Sequence, residues 1–138
     1  MSAPLEPHFW VRDLPRSIEW YRTVLGFTVT AWFPQEEGAT WCQMERCPVS
    51  LMLAVTPDPD RLAPHQAYLA GIGGRLAGPG GPLSLYLRVP DADSMHAQAI
   101  VAGAAIVEDI WDAWWGGRQF SVIDPDGAWW TVFQPTDG

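Results

Sequence analysis

Between residues 83 and 89 apolar and polar positions alternate without a break. Leu83, Leu85, Leu87 and Val89 fall on one face, and Ser84, Tyr86 and Arg88 on the other. A period of two is that of a half-buried strand. Residues 5–11 carry the same pattern, with Leu5, Phe9 and Val11 opposed to Glu6, His8 and Trp10. After each of these strands the period lengthens. Ile18, Tyr21 and Leu25 recur at i, i+3 and i+7 behind Asp13 and Pro15, and Gly26 closes the run. That spacing predicts a helix capped by Asp13, with Pro in its first turn. Residues 91–101 predict a second helix, capped by Asp91 or Asp93 and stopped by Gly103. Three runs of strand length follow each helix: 27–33, 39–44 and 48–56, then 104–110, 119–123 and 128–133. The last two are joined by Asp124-Pro125-Asp126-Gly127. Pro pre-sets the turn, Asp bonds back to nearby backbone, and Gly accepts the positive φ, so this stretch reads as a β-hairpin.

Each half of the chain therefore reads β-α-β-β-β. Val11, Asp13 and Gly26 recur as Val89, Asp91 and Gly103, at offsets of 78, 78 and 77 residues. The turn Glu45-Arg46-Cys47-Pro48 precedes the Asp124 turn by 79 residues. A near-constant offset across four landmarks indicates two copies of one half-unit. Residues 56–82 are rich in Pro and Gly, with room for a short helix over 64–70, and read as the connection between the copies. The expected organisation is one domain over 1–138, with a first module at 5–56, a linker at 57–82 and a second module at 83–135.

Composition narrows the function. An apolar fraction of 48% and a charged fraction of 17% in 138 residues suit one well-buried core rather than a disordered chain. The net charge of −8, with no basic cluster, argues against a nucleic-acid partner, because phosphate contacts need Lys and Arg. Cys42 and Cys47 form neither a disulfide framework nor a zinc pattern and are expected to be reduced and buried. No apolar run is long enough to span a membrane and no leader pattern opens the chain, so the expectation is a soluble cytoplasmic protein. Nine tryptophans exceed what a core of this size needs.

Val11-Arg12-Asp13-Leu14, Ser17, Trp20-Tyr21 and Leu25-Gly26-Phe27 form one anchor. Trp115-Gly116-Gly117-Arg118, leading to Asp124-Pro125-Asp126-Gly127 and Trp130, forms another. In this order the chain resembles the vicinal oxygen chelate superfamily of glyoxalases, bleomycin-resistance proteins and extradiol dioxygenases. It looks most like the small metal-free bleomycin-resistance-like members. The resemblance covers nearly the whole chain apart from the first few residues and 56–82. It implies an α+β fold of two βαβββ modules, each a curved mixed sheet with one helix on its convex side, together enclosing a ligand cavity. It also implies a homodimer, with each cavity built within one chain or across two. Under it, Leu5, Phe9, Val11, Leu83, Leu85, Leu87, Val89, Trp130 and Val132 face the helices. Glu6, His8, Trp10, Ser84, Tyr86, Arg88, Trp129, Thr131 and Phe133 line the cavity.

Metal enzymes of that superfamily hold a divalent ion with His, Glu or Gln from the outer strands of each module. The matching positions here are Glu6, Ser84 and Thr131, with Met52 placed opposite Thr131 by the 79-residue offset. One carboxylate, one thioether and two hydroxyls hold hard or borderline divalent ions poorly, and His8 adds a single imidazole. The expectation is no metal and no other cofactor.

Two functions follow from the resemblance. The first is a metal-free binder that sequesters an apolar or planar aromatic small molecule. Glu6 supplies a charge contact, His8, Tyr86 and Thr131 hydrogen bonds, and Trp10, Trp114, Trp115 and Trp129 stacking surface. Met52, Ser84, Arg88 and Phe133 complete the lining. The second is a glyoxalase-like isomerase or lyase, or a dioxygenase, acting through a metal or with Glu6 and His8 as acid and base. His8 reads equally as a histidine hydrogen-bonded near a strand end. Arg118 reads as an ion pair with Asp124 or Asp126 across the hairpin, or as an anion contact. His65 and His96 read as solvated. Gly73-Gly74, Gly78 and Gly80-Gly81 lack the lysine and context of a phosphate loop. Trp20 and Trp130 read as core, and Trp32, Trp41 and Trp111 stay unplaced.

Overall fold

Asp13 opens the first helix: its backbone is extended and its side chain accepts the Arg16 N–H at 3.2 Å. The structure, a computed structural model, describes residues 4–55 and 83–136. They fall in two compact units, one within Met1–Pro64 and one within His65–Gly138. The first runs β1 (His8–Trp10), α1 (Leu14–Val24), β2 (Thr28–Phe33), β3 (Trp41–Arg46) and β4 (Val49–Ala54). The second runs β5 (Ser84–Arg88), α2 (Ala92–Val101), β6 (Ala105–Ala113), β7 (Gly117–Ile123) and β8 (Trp129–Pro135). The expected short helix over 64–70, His65 and the glycine run lie outside the described residues.

The sheet orders are β1-β4-β3-β2 and β5-β8-β7-β6. In each, the first strand lies parallel to the last and the other neighbours are antiparallel. Each unit is thus a βαβββ motif with a mixed sheet, and the duplication read from landmark residues is a duplication of topology. Gly26 and Gly103 both adopt φ +77° just beyond their helices, where a side chain would be strained.

One face of each sheet is closed by its helix. In the first unit Tyr21 is fully buried, with ring centroids 6.0 Å from Phe9 and 6.1 Å from Phe27. The buried row of α1 is Leu14, Ser17, Tyr21 and Val24, so Ile18, expected in the stripe, is only half-buried. In the second unit Ala92 and Ala99 keep α2 close to its sheet, over buried Phe120, Val122, Val132 and Trp130. Trp20 is half-buried, its ring edge-on to Tyr21.

Several expectations are corrected. Leu5 and Leu83 are 83% and 62% exposed, because β1 begins at His8 and β5 at Ser84, leaving both leucines beyond the sheet. Cys42 is buried, but Cys47 is exposed in the turn between β3 and β4. His96 is not solvated: its side chain is 16% exposed, bonded to Asp109 at 2.9 Å and edge-on to Phe120. Arg118 pairs with Asp93 at 3.0 Å and Asp112 at 3.1 Å rather than across the hairpin turn. It sits at the opposite end of β7 from Asp124, about 20 Å away along an extended strand. Asp93, freed because Asp91 caps α2 through the Ser94 N–H, ties that helix to the sheet. Among the described residues no helix is long and apolar enough to cross a membrane.

Asp124 is buried and accepts the N–H groups of Asp126 at 2.9 Å and Ala128 at 2.8 Å. Asp124→Ala leaves two inward N–H groups unpaired and is expected to cost about 2–4 kcal/mol in urea denaturation, with Asp124→Asn costing clearly less. Burial pushes the Cys42 thiol up to about 11. Mass-spectrometric mapping after brief iodoacetamide treatment at pH 8 should therefore find Cys47 modified and Cys42 intact until the protein is unfolded.

Candidate functional site

The sheet face turned away from the helix carries the polar chemistry in both units. Register makes rows of it. In the second unit Tyr86, Thr131, Ser121 and Glu108 lie side by side across the four strands, and Arg88, Phe133, Gln119 and Trp111 form the next row. Strict alternation would set Glu108 and Trp111 on opposite faces, since they are three residues apart. A bulge in β6 matches that step to the two-residue step between Ser121 and Gln119, so both face the same way.

These rows hold one connected network. Glu108 accepts the Ser121 hydroxyl at 2.7 Å, the Gln119 amide N–H at 3.0 Å and the Trp111 indole N–H at 3.0 Å. Ser121 and Thr131 hydroxyls meet at 2.8 Å, and Thr131 accepts the Trp129 indole N–H at 3.3 Å. Gln119 in turn accepts the Trp115 indole N–H at 3.1 Å. Gln119, Ser121 and Thr131 are buried while Glu108, Trp111 and Trp129 are half-buried, so the network runs from the sheet interior toward its surface. Rings extend this patch. Trp111 and Trp114 both stand edge-on to Trp115, at 5.3 and 5.0 Å. Tyr86 lies 5.9 Å from Phe133, and the Arg88 guanidinium lies over the Phe133 ring at 5.7 Å. Trp114 is 86% exposed and Trp115 43%.

The corresponding rows of the first unit are His8, Met52, Gln43 and Ala31, then Trp10, Ala54, Trp41 and Phe33. Here the Gln43 amide donates to Glu6 at 2.9 Å and to Ser50 at 2.9 Å, and the Ser50 hydroxyl reaches Glu6 at 3.2 Å. His8 is exposed, its ring edge-on to Trp10 at 4.7 Å. Among the described residues no hydrogen bond joins Glu6 to His8.

The expected residues thus divide by unit. Glu6, His8, Trp10 and Met52 share the face of the first sheet turned away from its helix, while Tyr86, Arg88, Trp129, Thr131 and Phe133 share that of the second. Ser84 pairs with Trp129 at the exposed start of β5 and joins no part of the network. Trp114 and Trp115 occupy the β6–β7 turn. Sequence reasoning missed Gln43, Ser50, Glu108, Trp111, Gln119 and Ser121. Gln119 and Ser121 were legible as polar positions alternating with Phe120 and Val122. Glu108 and Trp111 were hidden by the bulge.

A divalent ion fits the expected positions poorly. Met52 offers a thioether, Thr131 is engaged with Ser121 and Trp129, and Glu6 is the lone carboxylate of the set. Among the described residues no three His, Cys, Asp or Glu side chains converge.

The family model described as Glyoxalase/Bleomycin resistance protein/Dioxygenase superfamily matches residues 6–132, and this chain belongs to that superfamily. The uncharacterized protein Mb0911c of Mycobacterium bovis is 37% identical over 135 residues, covering 98% of this chain and 85% of its own. Among solved structures, TioX from a Micromonospora species aligns with a TM-score of 0.72 at 21% identity, over 97% of this chain and 99% of TioX. TnmS3, an antibiotic binding protein from a Streptomyces species, aligns at 0.63 and 24% identity, over 98% of both chains. These two likenesses establish a shared fold.

Gly117 leaves no room for a side chain beside Phe133. A Cβ there would lie 2.1 Å from the Phe133 ring and 2.9 Å from the Gln134 carbonyl oxygen. Gly117→Ala is expected to displace Phe133 and destabilise the protein by about 1–3 kcal/mol, read by thermal denaturation and by shifted Phe133 ring resonances.

Proposed function

We propose that this chain is a small-molecule-binding protein that sequesters a mostly apolar, planar aromatic ligand without a metal, as a cytoplasmic homodimer. One observation carries the reading. Trp111, Trp115 and Trp129 each turn their only N–H inward, to Glu108, Gln119 and Thr131. An indole whose N–H is satisfied offers a ligand nothing but ring surface. Three such rings, held by one network, suit a flat apolar molecule better than a polar one. At about 1 kcal/mol per stacked ring they would supply on the order of a hundredfold in Kd. Tyr86, Arg88 and Phe133 extend the ligand-facing set in this unit, with Trp114 at its edge. Glu6, His8, Trp10 and Met52 are the ligand-facing set of the first unit.

The antibiotic-binding description of TnmS3, a relative in fold, agrees with this reading. The poor donor set for a divalent ion supports the metal-free part. Tryptophan-fluorescence titration with polycyclic aromatic antibiotics should give saturable quenching, with Trp115→Ala and Trp129→Ala each weakening binding about fivefold. Unchanged affinity in both variants would sink the aromatic slot. Elemental analysis after incubation with Mn, Zn, Fe and Ni, then desalting, should find well under one ion per chain. About one tightly held ion would overturn the metal-free part.

A further inference from the structure

The hydrogen bonds around Glu108 have a direction. Ser121 has one hydroxyl proton, given to Glu108 at 2.7 Å. In its 2.8 Å contact with Thr131 it must then accept, so the Thr131 hydroxyl donates. Thr131 in turn accepts from Trp129, and Gln119, which accepts from Trp115, donates to Glu108. Trp111 donates to Glu108 directly. Every proton points along a path that ends on one carboxylate.

Three indole N–H groups, two hydroxyl protons and one amide proton are committed. The second amide proton of Gln119 sits on a side chain that is nearly sealed from solvent. The Glu108 carboxylate, with roughly four lone-pair sites, accepts three of these bonds, which leaves one on the oxygen facing Trp111. Glu108 is half-buried, not sealed in the sheet interior as Gln119 and Ser121 are. Among the described residues the cation on this face, Arg88, stands on β5 at the far edge of the sheet, three strands from β6 and about 14 Å away. Among the described residues, the donors that reach Glu108 are thus already committed to it, and its remaining lone pair is an acceptor; the Tyr86 hydroxyl lies at the far edge of the sheet and the Trp114 indole at the rim of the ring cluster.

We infer that Glu108 is a specificity-determining residue, taking an O–H or N–H group carried by the aromatic ligand. An ether, nitro or tertiary amide at the same place sets lone pair against lone pair. The inference rests on the aromatic-binding reading above and adds the polar requirement to it. A hydrogen bond to a carboxylate is strong enough that the preference should be large.

The test uses naphthol and its methyl ether, which have the same fused ring and differ by one hydroxyl proton. Binding is followed through the nine indole N–H resonances in proton–nitrogen correlation spectra. Naphthol should bind the native chain at least about tenfold more tightly than the ether, moving the Trp111 resonance most. In Glu108→Gln the gap should fall below about threefold, and the Trp111 and Trp129 resonances should shift even without ligand, since an amide reverses part of the chain. If that variant does not fold, Glu108→Asp, which withdraws the carboxylate by one methylene, should narrow the gap likewise. Equal affinities in the native chain, or a gap that survives both substitutions, would overturn the inference while leaving aromatic binding intact. Failure of both probes to bind at millimolar concentration would overturn it together with the aromatic-binding reading.

Discussion

The parallel pairing of first strand with last strand in each unit is the constraint on which the rest depends. It lays β1 against β4 and β5 against β8, so residues more than forty positions apart become neighbours on one face. Parallel neighbours cannot be joined by a tight turn, and here the connection is the helix followed by two antiparallel strands. That connection covers one face with the helix and leaves the other for polar and aromatic side chains. The division of each strand into residues that face the helix and residues on the opposite face follows from it.

The two copies have kept this frame and diverged in chemistry. Both second-strand pairings carry a bulge, between Val29 and Ala31 in β2 and on both sides of Glu108 in β6. At the row position where the second unit has Glu108, the first has Ala31. Gln43, with no carboxylate on that side, turns instead to Glu6, which enters from the chain just before β1. Each unit so arranges its polar face around one carboxylate, reached from opposite edges of the sheet. Only the second surrounds it with three indoles.

The tryptophan excess has a physical account in this arrangement. An indole is large, stiff and apolar apart from one donor, and an acceptor aimed at that donor fixes the ring's orientation. Trp111, Trp115 and Trp129 are oriented in this way, Trp130 fills the core beneath α2, and Trp20 leans on Tyr21. Membership of the superfamily defines the frame, and it is the side chains on the open faces that separate one member's chemistry from another's.

Much of this was legible in the chain alone. Period-two alternation located β5, the Asp13 and Asp91 caps located both helices, and Asp124-Pro125-Asp126-Gly127 located the last hairpin. Each is a local rule, set by the backbone chemistry of a few adjacent residues. The constant offset between copies then made the duplication readable, and the resemblance to the superfamily implied the fold class. What lay beyond reach depended on contacts between distant segments. Arg118 found Asp93 and Asp112 rather than its hairpin neighbours because those carboxylates are brought to its end of the strand by α2 and β6. Cys47 stayed outside because a turn exposes its residues whatever their polarity. Glu108 and Trp111 came to one face through an extra residue in β6, and alternation cannot register a bulge because pairing with β7 creates it. Local sequence determined the elements and their order, while tertiary pairing decided which polar side chains meet, since a hydrogen bond needs both partners in place.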